Sequence, residues 1–269
     1  MFRQVTDFRD ESEALYRLLE GRRDETFDLP TRFKGWTVDD VLGHLHIWNH
    51  AADLSLQDPA GFQAFLARVM EAAGTGGMRS FERQWLQGLA GRSLLDAWRG
   101  FYLSMCERFG SADPRARVKW AGPDMSVRSA ITARLMETWA HGQAVYDELG
   151  VVRRDTDRIR NIAVLGVNTF GWTFRNRRLD VPEPPPYVRL TGPSGALWEF
   201  NEADDENVVA GDATEFCQVV TQTRNVADTG LEVHGETATR WMAMAQCFAG
   251  PPEDPPAPGT RYTVTDDGG

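Results

Sequence analysis

Residues 35–48 read GWTVDDVLGHLHIW. Thr37-Val38-Asp39-Asp40 has the form of a capping box, in which a hydroxyl and a carboxylate three residues later each satisfy the other's backbone N–H. A helix is therefore predicted to begin there and run to about residue 56. Its apolar stripe is Val38, Val41, Leu45, Trp48 and Ala52. His44, His46 and His50 all lie in this helix. At about 100° per residue, His44 falls on one shoulder of the stripe and His46 on the other, roughly 200° apart. His50 points nearly opposite the stripe. A metal ligand inside a bundle belongs at the edge of the core, so His44 or His46 fits, but not both for one site.

A second stretch, RLMETWAHGQAV at 134–145, places Glu137 four residues before His141. That spacing puts both on one helical face, with Cβ atoms roughly 5–6 Å apart. Both can then reach one ion at ligand distances of about 2.0–2.2 Å. The predicted helix starts near Ser126 and stops near Gly150. Ile131, Leu135, Trp139, Val145 and Leu149 form its main apolar stripe. Glu137 and His141 lie away from that stripe, beside Ala133, Ala140 and Ala144, and these small neighbours leave room for an ion and a ligand. The same spacing also arises in ordinary pairs on a wet helix face, and His46 and His50 share it. Geometry alone leaves these readings open.

The remaining chain reads as two domains. Leu15, Leu18 and Leu19 mark a first helix, and Phe62, Phe65, Leu66, Val69 and Met70 another. Phe81, Trp85 and Leu89 suggest a short helix, and Ser93-Leu94-Leu95-Asp96 offers a second capping box before a longer one. A further helix is predicted over about 156–170. LDVPEPPPYVRL then carries four prolines in twelve residues, which cannot continue a helix. YVRLTGP and ALWEF read as strands around a Gly-Pro-Ser-Gly turn. GDATEFCQVVTQTR reads as a helix, LEVHG as a short strand or turn, and ETATRWMAMAQCFAG as a closing helix. The fold class is α+β: a helical domain at 1–178, a proline-rich linker at 179–186, a small α+β domain at 187–250, and a disordered acidic tail at 251–269.

Composition narrows the function classes. The formal net charge of -10 argues against nucleic-acid or anionic-membrane partners, which need a basic footprint. No apolar run reaches the ~18 residues of a membrane helix, and the N-terminus lacks a secretion pattern. Cys106, Cys217 and Cys247 are odd in number and far apart, which suits buried apolar roles in a reducing cytoplasm. No catalytic triad, P-loop or dinucleotide fingerprint is present.

GWTVDDVLGHLHIW with RLMETWAHGQAV resembles the paired motifs of the mycothiol-dependent maleylpyruvate isomerase family. The similarity continues through TFGWTFRNRRLDVPEPPPYVRLTGPSG and AGDATEFCQVVTQTRN to LEVHGETATRWMAMAQCFAG, nearly the whole chain. The resemblance implies an N-terminal DinB-like four-helix bundle carrying a divalent metal, usually zinc, joined to a sterol-carrier-like α+β domain. It places the ligands on His44, Glu137 and His141, with no ligand role for His46 or His50. It further implies mycothiol, the small thiol of actinobacteria, as cofactor, with the metal presenting its sulfur to an electrophilic small molecule as an isomerase or S-transferase. The family's substrate-side arginine matches Arg224. Where members often carry an acidic residue three positions after the last ligand, this chain has Ala144, which puts maleylpyruvate itself in doubt. His46 is expected as an exposed or core-edge residue, with a proton-donor role as the rival, and His234 as structural. Two competing readings are a non-catalytic metal-containing carrier of an apolar ligand and a metal-dependent hydrolase. A monomer or homodimer fits any of them.

Overall fold

A computed structural model of the protein describes residues 1–75 and 77–261. The chain forms two compact units, Met1–Glu148 and Leu149–Gly269. In the first, α1 (Arg3–Leu19), α2 (Val38–Gln57), α5 (Gly91–Ser111) and α6 (Val127–Glu148) are the long helices. α1 and α2 each pack on both α5 and α6, which closes a four-helix bundle. α3 (Pro59–Thr75) and α4 (Met78–Leu86) pack on α2 and on each other. Phe8, Leu15, Leu45, Trp98, Tyr102, Leu135 and Trp139 are buried, each large apolar side chain adding about 1.5–3 kcal/mol. A two-residue hairpin, β1 (Arg117–Val118) with β2 (Met125–Ser126), leads into α6.

The capping box of α2 forms as predicted. Thr37 Oγ1 accepts from the Asp40 N–H at 3.0 Å, and Asp40 Oδ2 accepts from the Thr37 N–H at 3.1 Å. The second predicted box is not used. α5 starts at Gly91 with no side-chain cap, because Asp39 Oδ1 already accepts the Gly91 N–H at 2.7 Å.

The second unit holds α7 (Arg160–Asn168), α8 (Phe170–Asn176), α9 (Ala213–Val220), α10 (Glu236–Met242) and a four-stranded sheet. The strands are β3 (Tyr187–Thr191), β4 (Leu197–Phe200), β5 (Val208–Asp212) and β6 (Glu232–His234), in the order β4-β3-β5-β6. β3 runs antiparallel to β4 and parallel to β5, and β5 runs antiparallel to β6. Val188 and Leu190 point inward while Arg189 and Thr191 face out, the alternation of a half-buried strand.

The fold is thus α+β, but its division differs from the expected 178/179 boundary. α7 and α8 belong with the sheet: a Cβ at Gly166 of α7 would lie 2.8 Å from Val220 Cγ2 and 3.1 Å from Phe216 Cε1 of α9. The proline run stops a helix without separating bodies, since Pro186 O accepts from Asn201 and Tyr187 donates to Asn207 O. The tail expectation is corrected over 251–261. Glu253 O accepts from Gln222 at 2.8 Å, Pro256 O from Asn225 at 2.9 Å, and Gly259 donates to Asp228 at 2.8 Å. The rest of the expected tail, 262–269, lies outside the described residues. β5 was not predicted, and the closing helix α10 ends at Met242 rather than near Gly250.

Candidate metal centre

His44 on α2 and Glu137 and His141 on α6 converge. Their donor atoms all lie within 4.8 Å of one another, the one such group among the described residues. Glu137 Oε2 stands 3.1 Å from His141 Nε2 and 3.6 Å from His44 Nε2. The side chains are 14%, 23% and 12% exposed for His44, Glu137 and His141, so the group is sheltered yet reachable. Two imidazoles and one carboxylate fit a divalent metal and leave a fourth position for a ligand.

The surroundings fix these groups. His44 Nδ1 donates to Glu82 Oε1 on α4 at 2.7 Å, and Trp48 Nε1 donates to the same oxygen at 3.2 Å. With Nδ1 held by Glu82, the His44 ring aims its Nε2 at Glu137, and such an outer bond to one ring nitrogen is what orients a histidine for metal binding through the other. Trp36 stacks on His141 at 5.5 Å with the rings 3° from parallel, and Phe33 meets the same ring edge-on at 4.9 Å. Both come from a tight turn in which Lys34 and Gly35 adopt φ of 52° and 67°. That turn is closed by Thr31 N–H to Trp36 O at 2.7 Å and Trp36 N–H to Phe33 O at 2.9 Å.

Burial opposes charge throughout the group, and hydrogen bonding decides which members hold it. Burial works to lower the His44 imidazole, but its bonds to Glu137 and Glu82 outweigh that and raise it to about 9. Burial would raise the Glu137 carboxyl, yet the bonds from His141 and His44 and the nearby Arg134 charge hold it well below the usual range. His141 is lowered, chiefly by burial and against the pull of Glu137, with the charges of His44 and Arg134 adding to the effect. The trio thus presents an anionic carboxylate between a protonated His44 and a His141 whose charging is disfavoured.

His46 and His50 sit elsewhere on α2. His46 is 5% exposed and packs edge-on against Trp85 at 5.9 Å and Phe101 at 5.7 Å. His50 stacks on Phe101 at 3.5 Å. Of the two places expected for His46, the exposed one is corrected, because α4 and α5 cover that side of α2. His234 is exposed on β6, paired with Val208. Arg224 is buried in the second unit, its Nη1 donating to Thr223 O at 2.9 Å.

Glu82 is the participant that sequence reasoning missed. It is buried and lies in α4 beside Phe81, part of the cluster with Ile47, Phe62 and Phe65. The one available signal was a carboxylate wedged into an otherwise apolar stripe. Glu82 also lines a cleft of about 320 Å³ with Asp39, Asp40, Arg79 and Arg83. Both arginines bond Asp40 and Asp39 caps Gly91, so the cations of the cleft are paired within it while its acids outnumber them.

Comparison with known proteins agrees with this architecture. Residues 8–146 match the family described as the mycothiol maleylpyruvate isomerase N-terminal domain. An uncharacterized protein of Mycobacterium tuberculosis strain H37Rv is 38% identical over 248 residues, covering 92% of this chain and 96% of the relative. Its counterpart in strain CDC 1551 matches equally. The crystal structure of the mycothiol-dependent maleylpyruvate isomerase aligns with a TM-score of 0.51 at 18% identity, over 80% of this chain and 86% of that one. A histidine-to-alanine mutant of that enzyme aligns with the same TM-score at 17% identity and the same coverage. At such identity the likeness is one of fold. The match over most of the helical unit and the 38% identity across nearly the whole chain decide the kinship: this chain belongs to the mycothiol maleylpyruvate isomerase family.

Proposed function

We propose that the protein is a metal-dependent enzyme in which His44, Glu137 and His141 hold a divalent ion, zinc by the character of the donors, and mycothiol is presented to an electrophilic small molecule. Isomerisation and S-transfer both use this arrangement. The observation that carries the reading is the convergence of three donors within 4.8 Å, backed by the Glu82 bond to His44. The metal's contribution would be to deprotonate a coordinated thiol at neutral pH and so supply a sulfur nucleophile.

The protein's own residues prepare that chemistry. Glu82 holds His44 in one tautomer, Trp36 fixes the plane of His141, and Glu137 lies between both imidazoles. The chain's own thiols are poorly suited to act as nucleophiles. Cys106, Cys217 and Cys247 are all buried, and burial pushes the Cys106 thiol up to about 12 and that of Cys217 well above the usual value. An external thiol fills the role they cannot. Three buried cysteines that form no disulfide also suit a reducing cytoplasm, and no helix among the described residues is long and apolar enough to cross a membrane. To Arg224 we assign the binding of an anionic group on the substrate, since a buried guanidinium is a strong carboxylate partner.

Elemental analysis followed by calorimetric titration with mycothiol tests the reading. Zinc-loaded protein should bind mycothiol tightly, and metal-stripped protein should not. His44→Ala and His141→Ala should lose both zinc and thiol, while Arg224→Ala should raise the KM for an anionic substrate without changing thiol affinity. Full zinc retention by the double histidine variant, or zinc-loaded protein indifferent to mycothiol, would overturn it.

A further inference from the structure

Arg134 stands three residues before Glu137 on α6, a spacing that places the two side chains on one helical face. It is only 2% exposed, and among the described residues no carboxylate forms an ion pair with it. Its Nε donates to Asn49 Oδ1 on α2 at 2.9 Å. Its Nη2 has no partner, and neither has Nδ2 of Asn49, itself wholly buried. An isolated guanidinium in such a place is strongly disfavoured by desolvation.

The charges around the trio suggest what it is for. Glu137 and Glu82, one in the trio and one bonded to His44, together offset the charge of a divalent ion. An anionic sulfur in the remaining position would then leave one negative charge unmatched in a sheltered site, where screening is weak. A buried positive charge beside Glu137 supplies the balance.

We infer that Arg134 is a positioning residue that acts through Glu137 to set the charge of the metal centre, weakening its grip on the cation slightly in exchange for a preference for an anionic thiol as the further ligand. This rests on the metal–thiol reading above. It makes a prediction of opposite signs: removing the positive charge should tighten zinc and weaken thiol.

The test uses the full-length protein, zinc as the metal and mycothiol as the thiol. Zinc affinity is read by chelator competition and mycothiol affinity by calorimetry on the zinc-loaded form. Arg134→Met removes the charge, and Asn49→Asp neutralises it by placing a carboxylate on Nε with little change in shape. In both variants zinc should bind about tenfold tighter and mycothiol about tenfold weaker, the order expected of one charge at several ångströms in a partly buried site. Arg134→Lys should stay near the parent in both. If Arg134→Met fails to fold, Asn49→Asp carries the test, because its new ion pair should not destabilise the bundle. A purely structural role predicts that Asn49→Asp changes thermal stability alone, and that result overturns the assignment. Loss of both affinities together in Asn49→Asp overturns it as well. Parent protein that binds zinc but no mycothiol would instead sink the thiol reading, and this inference with it.

Discussion

Glu82 offers the most direct test of how the centre is held. Its carboxylate accepts two buried hydrogen bonds, from His44 Nδ1 at 2.7 Å and from Trp48 Nε1 at 3.2 Å. In Glu82→Gln an amide oxygen can still accept from His44, so the ring keeps its tautomer but loses an anionic neighbour. Zinc affinity should fall about tenfold, the lower end of what an outer-shell partner contributes. Glu82→Ala removes the acceptor entirely, frees the His44 ring to rotate and strands the Trp48 indole N–H. Here zinc affinity should fall about 100-fold, and the metal-free fold should lose about 1–3 kcal/mol for the unsatisfied donor, plus a smaller cavity cost. Competition against a chromophoric chelator at fixed pH measures the first quantity, and denaturant unfolding of the stripped protein the second. A folded Glu82→Ala protein whose zinc affinity stays within about threefold of the parent would show that His44 is not oriented in this way.

The metal-free protein should be pH-sensitive on the alkaline side. His44 is raised from 6.5 to about 9, so the stability it contributes is complete below pH 6.5 and drains away as pH rises through about 9. Thermal melts of stripped protein should fall across that window, and a flat melting temperature there would contradict the assignment. On the acid side, burial holds His46 and His50 at about 4. Their contribution is present above pH 6.5 and is lost as pH falls toward 4. His46→Phe should therefore soften acid unfolding while leaving zinc content unchanged, and loss of zinc in that variant would mean the wrong histidine has been named. Gly166→Ala should destabilise the second unit by about 1–3 kcal/mol through overpacking, since the new methyl would meet Val220 at 2.8 Å. An unchanged denaturation midpoint would show that α9 yields instead.

The convergence of His44, Glu137 and His141 was partly legible because helices convert spacing into direction. The four-residue step from Glu137 to His141 and the capping box that sets the phase of α2 both survive folding unchanged. What the wheel could not show was coverage. His50 was placed opposite the apolar stripe, which is solvent for a lone helix, but Trp85 and Phe101 from α4 and α5 close over it. Glu82 escaped because its partner is 38 residues away, and no local pattern encodes a contact between helices. β5 escaped for a related reason: Val208–Asp212 runs straight into α9, so its last residues read as the helix cap they also are. Asp212 accepts from the Thr214 and Glu215 N–H groups at 2.7 and 3.2 Å. The proline run announced a break correctly, but a break in helix is not a boundary between bodies. Membership is set by which faces meet, and α7 meets α9.

α4 is only nine residues long, shorter than a helix that could persist unaided in water. It stays in place through Phe81 in the apolar cluster with Ile47 and Phe65, and through Arg79 and Arg83 bonded to Asp40 at the start of α2. Yet it carries the carboxylate that fixes the His44 ring. On the proposed metal reading, the lifetime of a captured ion would be tied to how often this short segment lifts from its neighbours. Substitutions on its outer attachments, remote from any donor atom, would register first as faster escape and not as slower capture.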